Sequence, residues 1–278
     1  MEKIVTGNTW VRALLCIPLV LFLLAARGAY AGPDGVFDGL IQPRLEVKLG
    51  SGTPGIIEKV NVDWGDMIEE GDVLAELQSG VEKATMQLAK TQAEFEATIE
   101  ARKAELEFAV RNQERQKELF ERKTLSLQNW DEVETKRIIA EINLIEATEK
   151  QRLAEMEYRR ACEVYNRTII RSPLTGVVVE RFLNPGEYVE DQPLMTLAQI
   201  DPLHVEVVME VENLGLVEVG GEATIQPEPP VGGSYKAKVI VVDRVVDGGS
   251  GTFGIRLEMP NPDLRLSPGL KCKVTFNP

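Results

Sequence analysis

The chain has 278 residues, with 44 acidic and 31 basic side chains and a single histidine. The net charge of −13 argues against nucleic acid as a partner, because a phosphate backbone is bound by clusters of Lys and Arg. With His204 alone, no histidine pair is available to hold a metal or to serve a triad, and we expect this residue on a strand surface. No motif joins a nucleophile to a base. We therefore expect no enzyme and no catalytic, cofactor-binding or metal-binding residues.

The first 31 residues have the pattern of a secretory signal. Lys3 and Arg12 flank the start of an apolar run over residues 13–26, and residues 29–31 form a small-x-small cleavage site. The run is shorter than the roughly 20 residues of a membrane-spanning helix, so we predict a cleaved signal peptide over residues 1–31 and export of the chain. A retained anchor and lipidation at Cys16 are the alternatives.

Removal of residues 1–31 leaves a net charge of −15 and two cysteines, Cys162 and Cys272. One distant pair of cysteines does not make a disulfide framework. We expect two buried thiols.

Two segments on either side of a long insert repeat one pattern. Residues 55–68 and 176–189 each set two glycines ten residues apart, alternate apolar residues between them, and place an apolar residue three positions after the second glycine. Neither segment is long enough to bury a core alone, so we expect the two to pair as halves of one β-sandwich. The halves cover residues 44–79 and 167–199 and look like a split lipoyl or biotinyl domain.

The insert, residues 80–166, contains neither glycine nor proline after Gly80, which predicts helix. A seam with alternating spacings of three and four predicts a coiled coil. The seam consists of Leu88, Gln92, Phe95, Ile99, Arg102, Leu106, Ala109, Gln113, Gln116 and Phe120 in the first arm, and of Trp130, Val133, Arg137, Ala140, Leu144, Ala147, Gln151, Ala154, Tyr158, Ala161 and Tyr165 in the second. A break near residues 123–126 predicts an antiparallel hairpin with arms about 60 Å long. Because Gln, Arg and Ala fill many seam positions, we predict that the hairpin bends.

Lys83 is the one candidate for cofactor attachment. In a biotinyl or lipoyl carrier, a lysine at a tight hairpin tip is acylated by the cofactor, and residues 75–77 and 82–85 imitate that context. Here more than eighty helical residues follow instead of a returning strand. We therefore predict that Lys83 is an exposed residue in the first helical turn, and a biotin or lipoyl carrier is a remote alternative.

From residue 203 onward, short alternating runs between glycine and proline turns predict a small antiparallel β-barrel. Its strands are predicted at residues 205–211, 222–226, 235–242, 252–258 and 271–276. Residues 212–219 predict a short helix across one end, and a strand near residues 36–41 closes the barrel, so that this domain comprises residues 32–43 and 200–278. The fold class is α+β: a helical coiled-coil hairpin inserted in a split lipoyl/biotinyl-like β-sandwich, followed by a small antiparallel β-barrel.

This nested order, with Leu266-Ser267-Pro268-Gly269-Leu270 before the last strand, resembles the periplasmic adaptor (membrane fusion protein) family of tripartite efflux pumps. The resemblance covers nearly the whole mature chain. It implies an adaptor in the periplasm that bridges an inner-membrane transporter, of resistance-nodulation-division (RND) or ABC type, and a TolC-type outer-membrane channel. It also implies self-association into a ring, expected to be a hexamer, and association with the inner membrane through the transporter.

The most specific local resemblance is at the hairpin tip. Adaptors of the RND type carry Arg, then Leu four residues later, then Ser seven after that, and Arg115, Leu119 and Ser126 fit this spacing. The resemblance implies that these three residues dock the hairpin onto the channel. The family usually has glycine in the turn before the serine, whereas Lys123 and Thr124 stand there in this chain.

Each tip residue also has a simpler interpretation. Ser126 opens the second arm and is suited to be its N-cap. Leu119 could pack against Trp130 across the turn, and Arg115 could be one more solvated charge.

The closest alternative function is an adaptor of an ABC-type exporter or of a type I secretion system. Type I secretion adaptors normally keep an N-terminal membrane span and have longer helical regions. A standalone coiled-coil scaffold is a further alternative, but it would not need the repeated half-sandwich. The sequence does not identify the cargo.

Overall fold

The computed structural model describes residues 35–277, which belong to two compact units. Of these, residues 35–45 and 199–277 form the first unit, and residues 46–198 form the second. The predicted signal peptide lies outside the described residues. Within residues 35–277, no helix combines the length and the apolar character that crossing a bilayer requires.

The elements follow one another in the order expected for one domain nested in another. They are β1 (Phe37–Leu49), β2 (Gly55–Val60), β3 (Met67–Ile68), β4 (Val73–Leu77), α1 (Gly80–Ala93), α2 (Ala97–Glu121), α3 (Leu127–Asn166), β5 (Ile169–Arg171), β6 (Gly176–Arg181), β7 (Tyr188–Val189), β8 (Met195–Glu210), β9 (Glu222–Pro227), β10 (Tyr235–Val242), β11 (Thr252–Met259) and β12 (Lys271–Phe276). A short 3-10 turn, Val211–Asn213, follows β8.

The two repeated segments pair with each other by exchanging strands. β2 of the first segment pairs with β7 of the second, with Gly55 opposite Val189, and β6 of the second pairs with β3 of the first, with Gly176 opposite Ile68. The two residue pairs are equivalent, because each joins the first glycine of one segment to the last residue of the other. The expected pairing of the halves is therefore present, and it arises because each half lacks a partner strand that only the other half supplies.

The glycines of the repeat are explained by this geometry. Gly65 and Gly186, the second glycine of each segment, have φ values of +87° and +91°, a region that side chains with a Cβ rarely adopt. Their amides donate equivalent hydrogen bonds, from Gly65 to the carbonyl of Val178 at 2.9 Å and from Gly186 to that of Ile57 at 2.8 Å. At Gly176 a Cβ would collide with the carbonyl oxygen of Ala198.

The core of the sandwich lies between a four-stranded sheet of order β5-β4-β2-β7 and the strands β8-β6-β3. It is built from the alternating inward residues of both halves: Ile57, Ile68, Leu74, Ala75, Leu77, Ile170, Leu174, Val178, Val189, Leu194, Met195 and Leu197. The two halves contribute to one cluster, so neither half by itself contains the complete core.

The first unit is a six-stranded antiparallel barrel of order β1-β12-β9-β10-β11-β8, closed by pairing of β1 with β8. The predicted closing strand at residues 36–41 is the start of β1, where Phe37 lies opposite Val274. A buried amide fastens one loop of the barrel: the side chain of Asn261 donates to the carbonyls of Ile200 and Leu266, at 3.0 and 2.9 Å, and accepts from the amide of Leu266 at 3.1 Å.

The short helix predicted at residues 212–219 is wrong. Only Val211–Asn213 form a 3-10 turn. Gly215 has a φ of +91° and ends any helical path two residues after the turn.

The first helical arm is interrupted, although the sequence predicts an unbroken helix. Residues 94–96 leave the helical path between α1 and α2. The carbonyl oxygen of Ala93, which a continuous helix would satisfy internally, instead accepts a hydrogen bond from the side-chain amide of Gln151 on α3. A polar seam residue of the opposite arm thus stabilises a break that contains neither glycine nor proline.

The break changes the phase of the seam in the first arm. The predicted seam agrees with the less exposed side chains from Ile99 to Phe120 and along all of α3. In α1, Ala89 and Ala93 are buried, whereas the predicted Leu88 is exposed; the predicted Phe95 lies in the break and is also exposed. The positions in α1 are therefore shifted by one residue, because three non-helical residues reset the rotation of the helix.

The packing between the helices is thin. α2 buries no residue fully, and α3 buries only Ala140, Ala147 and Ala161. Alanines contribute far less on burial than the about 1.5–3 kcal/mol of a buried Leu or Ile. This composition is consistent with the prediction that the arms bend.

Candidate functional site

The turn between α2 and α3, here called the tip, is a Schellman motif. The amide of Lys123 donates to the carbonyl of Phe120 at 2.9 Å, and the amide of Thr124 donates to that of Leu119 at 3.0 Å. Lys123 has a φ of +59°, the left-handed conformation for which glycine is favoured. The tip therefore adopts the geometry of a glycine turn with a lysine in the strained position.

Ser126 has the role of an N-cap. It has extended backbone angles, and its hydroxyl oxygen accepts a hydrogen bond from the amide of Asn129 at 3.3 Å. The side chain itself is exposed. Its local role is thus established, and a docking role would be additional.

Leu119 is not a buried residue of the tip. The indole of Trp130 stacks on Phe120, and Leu119 is 44% exposed in the last turn of α2. Its exposure does not fit the interpretation of Leu119 as local core, and the ring that stacks on Trp130 across the turn is that of Phe120. Leu119 is an apolar side chain available at the tip.

Arg115 lies one turn before Leu119 on the same side of α2 and is exposed. It forms no ion pair with any residue in 35–277, whereas Arg111, one turn further back, pairs with Glu107 at 3.3 Å. The structure thus brings Arg115 and Leu119 onto one surface. It turns the hydroxyl of Ser126 toward the backbone of α3.

Lys83, the candidate for cofactor attachment, lies at the start of a helix. Its amide donates to the carbonyl of Ser79 at 2.9 Å, so that Lys83 lies in the first turn of α1 and not in a turn between two strands. The side chain is exposed.

The residues that could carry other chemistry are dispersed. His204 is half-buried on β8, and burial is the main reason why its pKa is lowered. Burial raises the pKa of the Cys272 thiol to about 11. Cys272 is buried as expected. Cys162 is only half-buried, which corrects the expectation for that thiol.

Among residues 35–277, no group of three or more His, Cys, Asp or Glu side chains is placed to hold a metal.

Sequence reasoning missed one surface on α3, here called the outer isoleucine face. Its members are apolar and each between 42% and 61% exposed: Ile138, Ile139, Ile142, Ile145, Leu153 and Met156. At 100° per residue, Ile138 lies about 180° from the buried Ala147, so this face points away from the seam. The signal was present in the sequence, since residues 138, 142 and 145 repeat the three-and-four spacing in a second phase.

Comparison with known proteins identifies both parts of the fold. The CzcB-like barrel-sandwich hybrid domain matches residues 46–199, and the CusB-like beta-barrel domain matches residues 203–278. The crystal structure of MacA from Actinobacillus actinomycetemcomitans has a TM-score of 0.72 at 23% identity, over 87% of this chain and 77% of that chain. The sandwich and barrel parts of the predicted fold class are confirmed.

Two curated relatives have similar sequences. Cobalt-zinc-cadmium resistance protein CzcB of Cupriavidus metallidurans is 25% identical over 78% of this chain and 39% of its own length. Multidrug/solvent efflux pump periplasmic linker protein MepA of Pseudomonas putida is 25% identical over 78% of this chain and 53% of its own length. The chain thus spans about half or less of the relatives it matches. The barrel-sandwich hybrid match covers more than half of the chain, and the chain therefore belongs to the membrane fusion protein family, with a CzcB-like barrel-sandwich hybrid domain and a CusB-like β-barrel.

Proposed function

We propose that this chain is a non-enzymatic periplasmic adaptor of a tripartite efflux system. It bridges an inner-membrane transporter, of RND or ABC type, and a TolC-type outer-membrane channel. Family membership supports the adaptor role, as does the name of the relative MepA, a periplasmic linker protein of an efflux pump. The helical segment 80–166 acts as the docking arm, inserted between the half-sandwiches 44–79 and 167–199, and residues 32–43 and 200–278 form the barrel domain.

The observation that carries the docking role is the exposed Leu119 beside a rigid turn. The Schellman bonds hold the backbone on both sides of Lys123, and Phe120 packs inward on Trp130. A fixed backbone that presents an apolar side chain loses little conformational entropy when it binds. Arg115 and Ser126 complete the proposed contact as hydrogen-bonding groups at the same end of the arm.

The magnitude of this contact favours multivalent docking. Covering the exposed part of one leucine yields roughly 1–2 kcal/mol, and a few hydrogen bonds add a similar amount before association costs. A single tip would therefore bind weakly. Several arms in a ring, which we expect to be a hexamer, would bind together through their high effective concentration.

Site-specific photo-cross-linking in whole cells tests the proposal. A photoreactive amino acid at position 119 is expected to form an adduct with an outer-membrane channel. The same probe at position 81, an exposed valine in the first turn of α1 at the other end of the arm, is the matched control and is expected to form none. Absence of a channel adduct at 119, with normal amounts of both proteins, would contradict the docking role.

A further inference from the structure

The outer isoleucine face is larger than a solvated helix surface requires. Six apolar side chains that are each about half exposed present roughly 600 Å² of apolar area, which is the upper end of the largest patches on soluble monomers. A partner that covered the whole face would bury a similar area of its own surface, or about 1,200 Å² in total, which reaches the lower limit of specific protein interfaces. An area of this size indicates a protein partner.

The other side of the same helical segment has a complementary surface. Ala97, Ala101, Ala104 and Phe108 are all exposed and lie on the side of α2 that points away from the seam. Three small residues in successive turns leave a shallow groove, and Phe108 borders it. The branched side chains of Ile138, Ile142 and Ile145 form a ridge, and ridges of one helix pack into grooves of another.

The ridge and the groove lie at the same height along the segment. Phe120 and Trp130 are level at one end because their rings stack, and Ala93 and Gln151 are level at the other because they are hydrogen bonded. Linear interpolation between these two pairs places residue 104 of α2 within about one turn of residue 142 of α3. A neighbouring copy held at the same height would therefore bring its groove to this ridge.

We propose that the outer isoleucine face binds the Ala97–Phe108 groove of a second copy of this chain. The contact is head-to-tail, since the two surfaces are different and lie on opposite sides of one helical segment. A head-to-tail contact closes into a ring when its repeated rotation adds up to a full turn without a rise along the axis. This inference rests on the proposed function and assigns the surface through which the adaptor ring assembles.

The position of the outer isoleucine face and the charges beside it favour a second copy of the chain, rather than the outer-membrane channel, as its binding partner. Ile138 lies 12 residues beyond Ser126, about 18 Å along α3, and Met156 about 45 Å, so the face is remote from the tip. Nearer the tip, the side of α3 that carries the ridge also carries Asp131 and Glu134. The side of α2 that carries the groove is followed by Arg122. None of these three has an ion-pair partner within residues 35–277, and the opposite charges suit a contact between copies.

Sedimentation velocity of the full mature chain tests the surface. Ile142→Glu places a charge in the centre of the ridge at an exposed position, and is expected to weaken self-association at least tenfold with unchanged helix content by circular dichroism. Val81→Glu makes the same chemical change at an exposed site outside both surfaces and is expected to leave association unchanged. A parent chain that stays monomeric at about 100 µM, or an Ile142→Glu variant that associates like the parent, would overturn the inference.

Cysteine cross-linking tests the head-to-tail geometry. In a Cys162→Ser background, Ile142→Cys and Ala104→Cys variants with different affinity tags are mixed and oxidised. We expect a disulfide between the two different variants. Adducts only between two Ile142→Cys chains would overturn the arrangement.

The docking role of the tip and the self-association surface can be disproved independently of each other. A normal ring without a tip adduct at position 119 would remove the docking role and leave this surface intact. A tip adduct and normal transport in the Ile142→Glu variant, with undiminished self-association, would remove this surface and leave the docking role intact.

Discussion

The indole ring of Trp130 stacks on the phenyl ring of Phe120, with the ring centroids 5.2 Å apart and the planes inclined by 15°. These residues are the last seam position of α2 and the first of α3. The stack therefore closes the turn and determines which neighbouring side chain, Leu119, remains outside. The organisation of the tip follows from this one pair.

Trp130→Ala is expected to loosen the tip. An aromatic pair contributes about 0.5–1.5 kcal/mol beyond its buried area, so local protection should fall by about 1–3 kcal/mol when the area is included. Hydrogen exchange of residues 117–133 measures the change. Phe108→Ala removes an exposed ring and serves as the control, with protection at the tip unchanged. Equal exchange in both variants would show that the stack is not stabilising.

Leu119→Asp is expected to abolish efflux without affecting the fold. The position is 44% exposed, so a carboxylate there stays solvated in the free chain but would be desolvated on docking. Tolerance of the exported compound or metal is the readout, at matched protein level. Val81→Asp should behave like the parent chain. Full tolerance with Leu119→Asp would exclude a docking role for this residue.

Lys123→Gly is expected to stabilise the tip by about 1 kcal/mol. Glycine adopts the φ of +59° without the Cβ strain that a lysine carries there. Lys123→Val should have the opposite effect, since a β-branched residue tolerates this conformation least. The ordering of exchange rates at the tip, glycine slowest and valine fastest, checks the prediction. Faster exchange with glycine than with lysine would contradict it.

Asn261→Ala is expected to destabilise the barrel by about 2–4 kcal/mol. The change removes three side-chain hydrogen bonds, two to the buried backbone of Leu266 and one to the part-buried carbonyl of Ile200. The difference is measured from exchange of the slowest amides in β11 and β12. Asp263→Ala removes only an exposed 3.8 Å ion pair with Arg265, and a change below about 0.5 kcal/mol is expected. A similar cost for both variants would refute a role for the buried amide.

Cys272 is expected to resist alkylation at neutral pH. Burial raises its pKa to about 11, so the reactive thiolate is scarce in the folded chain, while an unfolded chain has the ordinary value near 8.5. Because the folded pKa is the higher one, this thiol's contribution to stability is complete below about pH 8.5 and declines as the pH rises toward 11. Mass spectrometry after iodoacetamide treatment, in buffer and in urea, separates the two states. Equal rates in both would contradict the prediction.

The repeat shows how far sequence reasoning extends for this fold. Gly55, Gly65, Gly176 and Gly186 mark the same positions in both halves, and the structure pairs the halves through reciprocal strands. Such features are readable because a left-handed φ and a close backbone approach leave few alternatives to glycine. The seam of α3 was also predictable, because a strict three-and-four spacing from Trp130 to Tyr165 agrees with the less exposed residues of this 40-residue helix.

The first helical arm shows where sequence reasoning ends. Nothing local marks the break at residues 94–96, since it depends on Gln151, which is distant in sequence and satisfies the carbonyl of Ala93. The tip also depends on a contact across the chain. Leu119 and Phe120 are adjacent apolar residues, each suited to pack against Trp130, and only the structure shows that Phe120 stacks on it.

The sequence by itself determined the periodicities, the turn glycines and the nested order of the chain, because each is a property of consecutive residues and their backbone angles. Only the tertiary structure decided the phase of α1, the residue that stacks on Trp130 and the side of α3 left uncovered. These depend on which atoms meet across the chain, and several arrangements satisfy the same local pattern until long-range contacts select one.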